Sequence, residues 1–549
     1  MGPAVAPGPT TGPDVGPPRV YRGRITRSTR DEAPMTRTAD ALPAEVDVLV
    51  AGAGPTGLMA GLVAHRRGLR VLVVDPKPGP TRESRAIVVQ ARSVEILDQL
   101  GLAGPVLGSA QLAGRIRIKG GDRPVEAVFA RAQERDTLFP GARIFEQSRT
   151  EALLSETLAA EGCPVRYGME LESFTADGPA EEGLEARLTS SPADAAGIAT
   201  RVHARWLIGA DGASSPVRHH LGLSFDGDTD EATFCVADLH GVEGAPDDAL
   251  SVHVGEQRLA ILFPLGPGGH ARLIWLHGGT DPDEEEALAG ARDDLGIRYG
   301  RVDWFSAYRV HHRLASRFRV GPVLLAGDAA HVHSPVGGQG MNTGLQDAHH
   351  LAHLLADIAS GLRDPAQLAR YEQERRPVAL ALITAVDRAF GLIARPGRGT
   401  AFVRRRARDV LAVLAPRVLR SAAGPWLGGL LGQYRIHYHP VPRGAVLPQW
   451  ASDPAVGRRL PVLAVNREAL RSGGWQLHTY GGAIAERPAV PEAVEGPLAF
   501  PADPRGRLRS YTLYLVRPDG YVAAAWPLHA GAAATSDVTA ALTAYGFRG

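Results

Sequence analysis

The stretch VDVLVAGAGPTGLMAGLVAHRRGLRVLVVDPKP, Val46 to Pro78, constrains the chain more than any other. Val46 to Ala51 is a short apolar run of the kind a buried parallel strand requires. Gly52, Gly54 and Gly57 spell G-x-G-x-x-G. Gly52 permits a tight turn, Gly54 lets backbone approach a pyrophosphate, and Gly57 lets the following helix lie close on the sheet. Pro55 and Thr56 open that helix, which runs to about Arg67, and its N-terminal amides face an anionic ligand. Leu69 to Val74 returns as a second strand. It ends at Asp75, where a carboxylate can accept ribose hydroxyls. Strand, glycines, helix, strand and terminal acid in this order predict a Rossmann-like α/β fold that binds a dinucleotide. The motif alone does not separate FAD from NAD.

The rest of the chain is compatible with that reading. At 549 residues it can bury a large core, enough for about three or four domains. A net charge of +1 gives no reason to expect nucleic acid or an acidic membrane surface as partner. No apolar run approaches the roughly 18 residues that span a bilayer, and the N-terminus has no apolar signal core. Cys163 and Cys235 are the only cysteines, too few for a disulfide framework or a cysteine-rich zinc site, and a reducing cytoplasm suits them. Residues 1–44 are rich in Pro, Gly, Thr and Arg without periodicity and are expected to be a disordered tail. Met35 is a candidate start.

Two later loops add chemistry. In ARWLIGADGASSPVRHHLGL, Ala204 to Leu223, a strand runs into Asp211-Gly212 and then a helix opening at Ser214, Ser215 and Pro216. In VGPVLLAGDAAHVHSPVGGQGMNTGLQDAHHLAHLLADIA, a strand ends at Gly327-Asp328. A glycine-rich loop and a helix from near Asn342 follow. Leu351, Leu354, Leu355 and Ile358 then fall at helical spacing on one buried face. His331 and His333 could ligate a metal, but H-x-H needs further ligands and Asp328 is the only local acid. The alternative is that His331 orders the loop by hydrogen bonding.

Taken together, these three markers resemble the single-component FAD-dependent aromatic hydroxylases, the para-hydroxybenzoate hydroxylase family. That family pairs an early G-x-G-x-x-G with a central D-G and a later G-D-A-A-H followed by P-x-G-G-x-G-x-N. SRAIVVQARSVEILDQLGL (Ser84 to Leu102), EQSRTEALL (Glu146 to Leu154) and YEQERRPVA (Tyr371 to Ala379) are also similar to it. The resemblance implies FAD as cofactor and NAD(P)H and O₂ as co-substrates. It implies that Asp328, after Gly327, contacts the ribitol or ribose hydroxyls and that Arg85 pairs with a flavin phosphate. Arg92 is a second candidate for that pairing, or a solvent-exposed residue on its helix. Gln147 and Arg149 would lie near the flavin, and Asp211 would contact FAD and NAD(P)H. The carbonyl of Pro335 would face substrate. The amides of Met341 and Asn342 would stabilise negative charge on reduced flavin, with Gly337, Gly338 and Gly340 letting backbone lie against the ring. Pro335, Gly338, Met341 and Asn342 are thus the residues expected at the reacting centre. Two departures stand out: Asp75 where a glutamate is usual, and Ser334 where a second proline often stands.

The expected organisation follows. A FAD-binding domain is built from 45–224 and 320–434, the latter including a helical segment. A β-sheet substrate domain, 225–319, is inserted between them. Phe234, His253, Leu262, Phe263, Trp275 and His277 are its specificity candidates. Residues 435–549 resemble the C-terminal thioredoxin-like domain of the larger phenol and polyketide hydroxylases. LYLVRPDGYVAAAW reads there as a hairpin, and with no cysteine after Cys235 a CxxC redox role is excluded. The implied reaction is NAD(P)H-driven hydroxylation of a polycyclic or polyketide-type phenol through a flavin C4a-hydroperoxide, in an enzyme that is a possible homodimer. A small phenol, Baeyer–Villiger insertion and a non-oxygenating flavin reductase are the alternatives. A flavin halogenase is disfavoured by the lack of its tryptophan motif and catalytic lysine. A plain NAD-dependent dehydrogenase is opposed by the D-G and G-D loops.

Overall fold

The apolar run that opens the sequence argument, β1 (Glu45–Ala51), lies inside a parallel sheet between β2 (Val71–Asp75) and the strand Ala199–Gly209. Val323–Leu325 pairs in parallel with the far side of Ala199–Gly209, and Arg166–Tyr167 with the far side of β2. Between β1 and β2 runs α1 (Pro55–Arg66). It packs against the helices Gln147–Ala160 and Gly340–Ala359. This is a doubly wound α/β sheet assembled from three distant pieces of chain, with its carboxyl ends on one side. The computed structural model describes residues 42–548 apart from 82–85, 120–123, 177–181, 191–198, 256–257, 278–281, 335–337, 394–416, 419, 422, 441–445, 483, 485 and 529–534. Arg85, Pro335 and Gly337, and all but the last three residues of the 1–44 tail, lie outside the described residues.

The second sheet is wider than the expected 225–319 segment. Its long strands Phe225–His240, Ala249–Val254, Leu259–Gly266, His270–His277 and Arg301–Ala315 come from there. It also takes Arg115–Lys119 and Val125–Ala127 at one edge and His331–Val332 at the other. Arg115–Lys119 carries an alternating pattern that offers only one apolar side, which is why it reads as nothing in particular in the sequence. The helix Glu284–Leu295 covers one face. It starts at Asp283, whose carboxylate accepts the Glu286 amide at 2.8 Å, and ends at left-handed Gly296.

The C-terminal region forms a four-stranded mixed sheet in the order Val494–Phe500, Trp475–Tyr480, Thr512–Val516, Val522–Pro527. The last two strands are the expected hairpin, and the helix Thr535–Ala544 follows. This sheet docks on the flavin domain through buried polar groups. Arg517 pairs with Glu374 at 2.8 Å and with Asp519 at 2.6 Å, and Asp519 reaches His350 Nδ1 at 3.1 Å. Asp98 holds Arg467 at 2.5 Å and Arg471 at 3.0 Å. The Trp475 indole donates to Asp357 at 2.7 Å.

Guanidinium partners hold the carboxyls of Asp98, Glu374 and Asp519 below the usual range despite burial. A lowered native value contributes stability that is present above the ordinary carboxylate value and lost as pH falls through the native one. Docking of the C-terminal sheet should therefore weaken steeply below about pH 4. Urea midpoints between neutral pH and acid would show it, and Asp98→Asn should flatten the slope. A midpoint insensitive to acid would rule this linkage out.

Candidate active site

The three sequence markers meet at the carboxyl ends of the parallel strands. Gly52 sits at φ +104, and a Cβ there would collide with the carbonyl of Ala210, the residue before Asp211. A Cβ on Gly57 would collide with the Gly52 carbonyl. Gly54 is different, since a Cβ there would meet nothing within 4 Å. It is also the N-cap of α1, with no side-chain cap and no acid in the first turn. The unpaired amides of that turn therefore open onto free space, as a bound pyrophosphate requires.

Asp75, almost fully buried, accepts the Ala53 amide at 2.7 Å and the Lys77 amide at 2.8 Å. It braces the glycine turn from the end of β2. Asp211 Oδ2 accepts the Val217 amide at 3.0 Å and the carboxylate faces the Ser215 side chain, while Oδ1 is buried with no hydrogen bond of normal geometry among the described residues. Burial raises its pKa. Such an orphaned acceptor beside Gly52 suits a ligand hydroxyl. These features fit the ADP half of FAD.

Gly327 lies at φ +60, and a Cβ on it or on Gly344 would run into the Thr56 side chain. Thr56, expected to touch cofactor, is placed as the wedge on which α1, the G-D turn and the helix Gly340–Ala359 converge. Asp328 is exposed in the turn Gly327–Ala329. Behind the turn, Asp347 accepts the Gly327 amide at 3.2 Å, meets His331 Nε2 at 2.7 Å and pairs with Arg375 at 2.6 Å. Arg375 continues to the Tyr438 hydroxyl at 2.8 Å. His331 thus orders the loop. His333 Nδ1 lies 2.9 Å from the Ser334 carbonyl, to which it donates, and its buried ring is depressed to about 4.

The helix Gly340–Ala359 begins without a side-chain cap. Thr343 N–H finds the Gln339 carbonyl, so the amides of Gly340, Met341 and Asn342 precede the first intrahelical bond. The Asn342 side chain does what the sequence did not suggest. It accepts the Gln90 amide at 2.8 Å and donates to the carbonyls of Val88 and Gly338 at 2.8 and 2.6 Å. It therefore pins the helix start to the strand Val88–Val89. Gly338 is at φ +62, and a Cβ there would press Val88 at 2.6 Å.

Several side chains have protein partners that the resemblance does not imply. Arg92 is neither a flavin-phosphate partner nor exposed. It is 2% exposed, donates to the Asp519 carbonyl at 2.7 Å and lies over the Tyr521 ring, so it anchors the C-terminal region. Arg149 lies on the surface over Phe145, with its guanidinium on the Ser109 carbonyl. The Gln147 side chain is engaged by Glu151 at 2.8 Å, and its amide holds Ala86. Four of the six specificity candidates face away from the flavin domain. Leu262 and Trp275 pack with Leu288, Ala291 and Leu295 of the covering helix. His277 lies 3.6 Å from Glu286 on that helix, and the Leu295 backbone bonds His253. Only Phe234 and Phe263 face inward. Phe263 packs on Ile87, Val88 and Ile144, and Phe234 on Leu276, Val310 and Tyr308.

On the same inner face, buried Arg272 is clamped by Asp238 at 2.6 and 2.7 Å and approaches Glu146 of the flavin domain at 3.9 Å. The two-residue period of the strand carries this signal, with odd positions from 273 to 277 outward and even ones inward. Reading the period from Arg272 would have found it.

Comparison with known proteins agrees with this geometry. The FAD binding domain family model matches residues 45–386. The chain is 32% identical to 6-methylpretetramide 4-monooxygenase of Streptomyces rimosus, covering 88% of this chain and 92% of that one. It is 32% identical to rifampicin monooxygenase of Streptomyces venezuelae, over 61% of this chain and 69% of the relative. Among solved structures, an anhydrotetracycline hydroxylase from Streptomyces rimosus superposes with TM-score 0.70 at 28% identity, covering 91% of this chain and 99% of that one. The glycine cradle, the D-G and G-D turns and these matches place the chain in the FAD-binding family of aromatic and polyketide monooxygenases.

Proposed function

We propose that this flavoprotein monooxygenase uses NAD(P)H and O₂ to hydroxylate a polycyclic, polyketide-type phenol held under the inner face of the second sheet. The observation that carries the substrate class is that inner face. It offers an aromatic and aliphatic floor, Phe234, Leu276, Tyr308 and Val310, joined through Ile274 to Phe263, which packs on the strand that Asn342 ties to the flavin loop. Three relatives that match along most of the chain are named for pretetramide or tetracycline-type substrates.

FAD, when bound, supplies the oxygen activation. The protein's own residues do the rest. Gly54 and the first turn of α1 receive the pyrophosphate, and Asp75 and Asp211 accept hydroxyls of the ADP half. The amides of Met341 and Asn342 favour negative charge at the ring's pyrimidine side. Asp328, Arg85 and Pro335 are assigned cofactor or substrate contacts by resemblance. The apolar floor excludes water from the reacting centre. No acid–base pair is required beyond this.

The test is anaerobic reduction of the yellow protein by NADPH or NADH, then mixing with oxygen under stopped-flow absorbance with a tetracyclic phenol bound. A transient spectrum distinct from oxidised and reduced flavin, with one oxygen atom gained by the phenol in mass spectrometry, is expected. Direct reoxidation with unmodified phenol would favour a reductase. Tyr308→Ala should raise substrate KM about tenfold, as losing one aromatic wall costs about 1–2 kcal/mol, with flavin content unchanged. An unaltered KM would place substrate elsewhere.

A further inference from the structure

We propose that an arginine-walled cleft between the flavin domain and the C-terminal region binds a polyphosphate anion of nucleotide size. The cleft is lined by Arg135, Asp136, Arg420, Ser421, Pro425, Arg435, Arg505 and Arg507 and encloses about 410 Å³. Five guanidiniums thus face one carboxylate, in a protein whose overall charge is close to zero. Gathering like charges around a cavity is unfavourable unless something anionic enters it.

The walls are built rather than incidental. The helix Gly424–Leu431 lies tight on the short helix Phe129–Gln133, where Gln133 donates to the Gly428 carbonyl at 2.8 Å. A Cβ on Gly428 would touch Gln133 at 3.0 Å, and one on Gly429 would strike the Arg435 stem at 2.6 Å, so both glycines make room for the wall. From the C-terminal region, Arg505 donates to the Glu134 carbonyl at 2.6 Å and Arg507 to the Arg135 carbonyl at 2.8 Å. Arg507 is also held by Asp503 at 3.1 Å, and Arg435 and Arg507 each lie 3.8 Å from Asp136. Arg505 and Arg507 are therefore fixed in place by protein groups, and Arg435 stands within ion-pair reach of Asp136. The Arg135 and Arg420 side chains are exposed and make no hydrogen bond among the described residues.

The ligand chemistry follows from number, direction and size. Guanidinium forks recognise phosphate oxygens bidentately, and forks arriving from three chain segments suit tetrahedral groups with oxygens on several sides. A single phosphate would fill little of the space, whereas cavities of roughly 300–1,000 Å³ hold whole small molecules. The site is separate from the flavin's pyrophosphate cradle at α1, with which it shares no residue.

The test uses the full-length, FAD-loaded enzyme, so that the flavin's own ADP site is filled. Inorganic pyrophosphate, ADP and NADPH are each titrated calorimetrically at low and moderate salt. Saturable 1:1 binding of ADP, weakened by salt and at least tenfold weaker in the double variant Arg135→Ala/Arg420→Ala, is the expected result. Competition by NADPH would identify a dinucleotide as the source of the polyphosphate. Competition by pyrophosphate alone would identify the free anion. Absence of saturable binding up to about 5 mM, an affinity below roughly 3 kcal/mol, overturns the proposal. So does binding that the double variant leaves unchanged. Both substituted arginines are exposed and unpaired among the described residues, so unchanged flavin content and melting temperature serve as the folding control.

Discussion

Gly54→Ala should fold normally and fail to hold flavin, while Gly57→Ala should fail at both. The two glycines sit three residues apart in one motif, yet they face different things. A Cβ on Gly54 points into open space, and its backbone is extended, so the protein itself loses little. Ala is a poorer N-cap than Gly, which costs about 1 kcal/mol at most. The methyl group instead stands where the pyrophosphate must approach, and an affinity loss of at least about 100-fold, near 3 kcal/mol, is expected. A Cβ on Gly57 meets the Gly52 carbonyl, a backbone atom that can yield only by moving the turn. Overpacking of this kind costs about 1–3 kcal/mol and occasionally more. Flavin absorbance of the purified variants, with apoprotein melting curves, separates the outcomes. If Gly54→Ala kept its flavin, the cradle would not be where the pyrophosphate binds.

The second large effect is expected at Arg375. Its guanidinium and the Asp347 carboxylate are 0% and 1% exposed. Arg375→Met would strand a buried carboxylate, and breaking such a pair costs about 3–5 kcal/mol. Because Asp347 also holds the Gly327 amide and His331, the loss should spread to the G-D turn and appear as weaker flavin retention. The double variant Asp347→Leu/Arg375→Met should recover part of the stability, since no charge is then stranded, but not the flavin retention. Denaturant unfolding and flavin release measure the two separately. Equal flavin affinity in all three proteins would detach this network from the site.

The parts of the site that are legible in the sequence are those made by backbone. Gly52, Gly327 and Gly338 mark a positive φ, and Gly54 and Gly57 a close approach, so residue type alone is enough to locate these turns. The parts that stay hidden are made by side chains reaching across tens to hundreds of residues. Nothing local to Arg375 says that it answers Asp347, or that Tyr371 in the same segment donates to the Leu325 carbonyl at 2.8 Å and caps the G-D strand. Arg92 misleads for a similar reason. An arginine on a helix reads as solvated until the C-terminal sheet, contributed more than 400 residues later, covers it. The specificity candidates fail differently: both faces of the second sheet are apolar because the helix Glu284–Leu295 buries one of them, and apolarity then no longer tells inside from outside.

The order of strands in the first sheet also has a consequence for biosynthesis. β1 leaves the ribosome with its glycine turn and helix complete, yet its neighbour Ala199–Gly209 arrives about 150 residues later, Val323–Leu325 later still, and Arg375 last of all. At roughly 5–20 residues per second, β1 can pair with β2 at once but keeps its other edge open for roughly ten seconds until Ala199–Gly209 is made, and the far edge of that strand then waits for Val323–Leu325 while most of the second sheet is made. Contacts this distant along the chain form slowly. The flavin cradle is therefore begun first and finished near the end, after the inserted sheet has been translated.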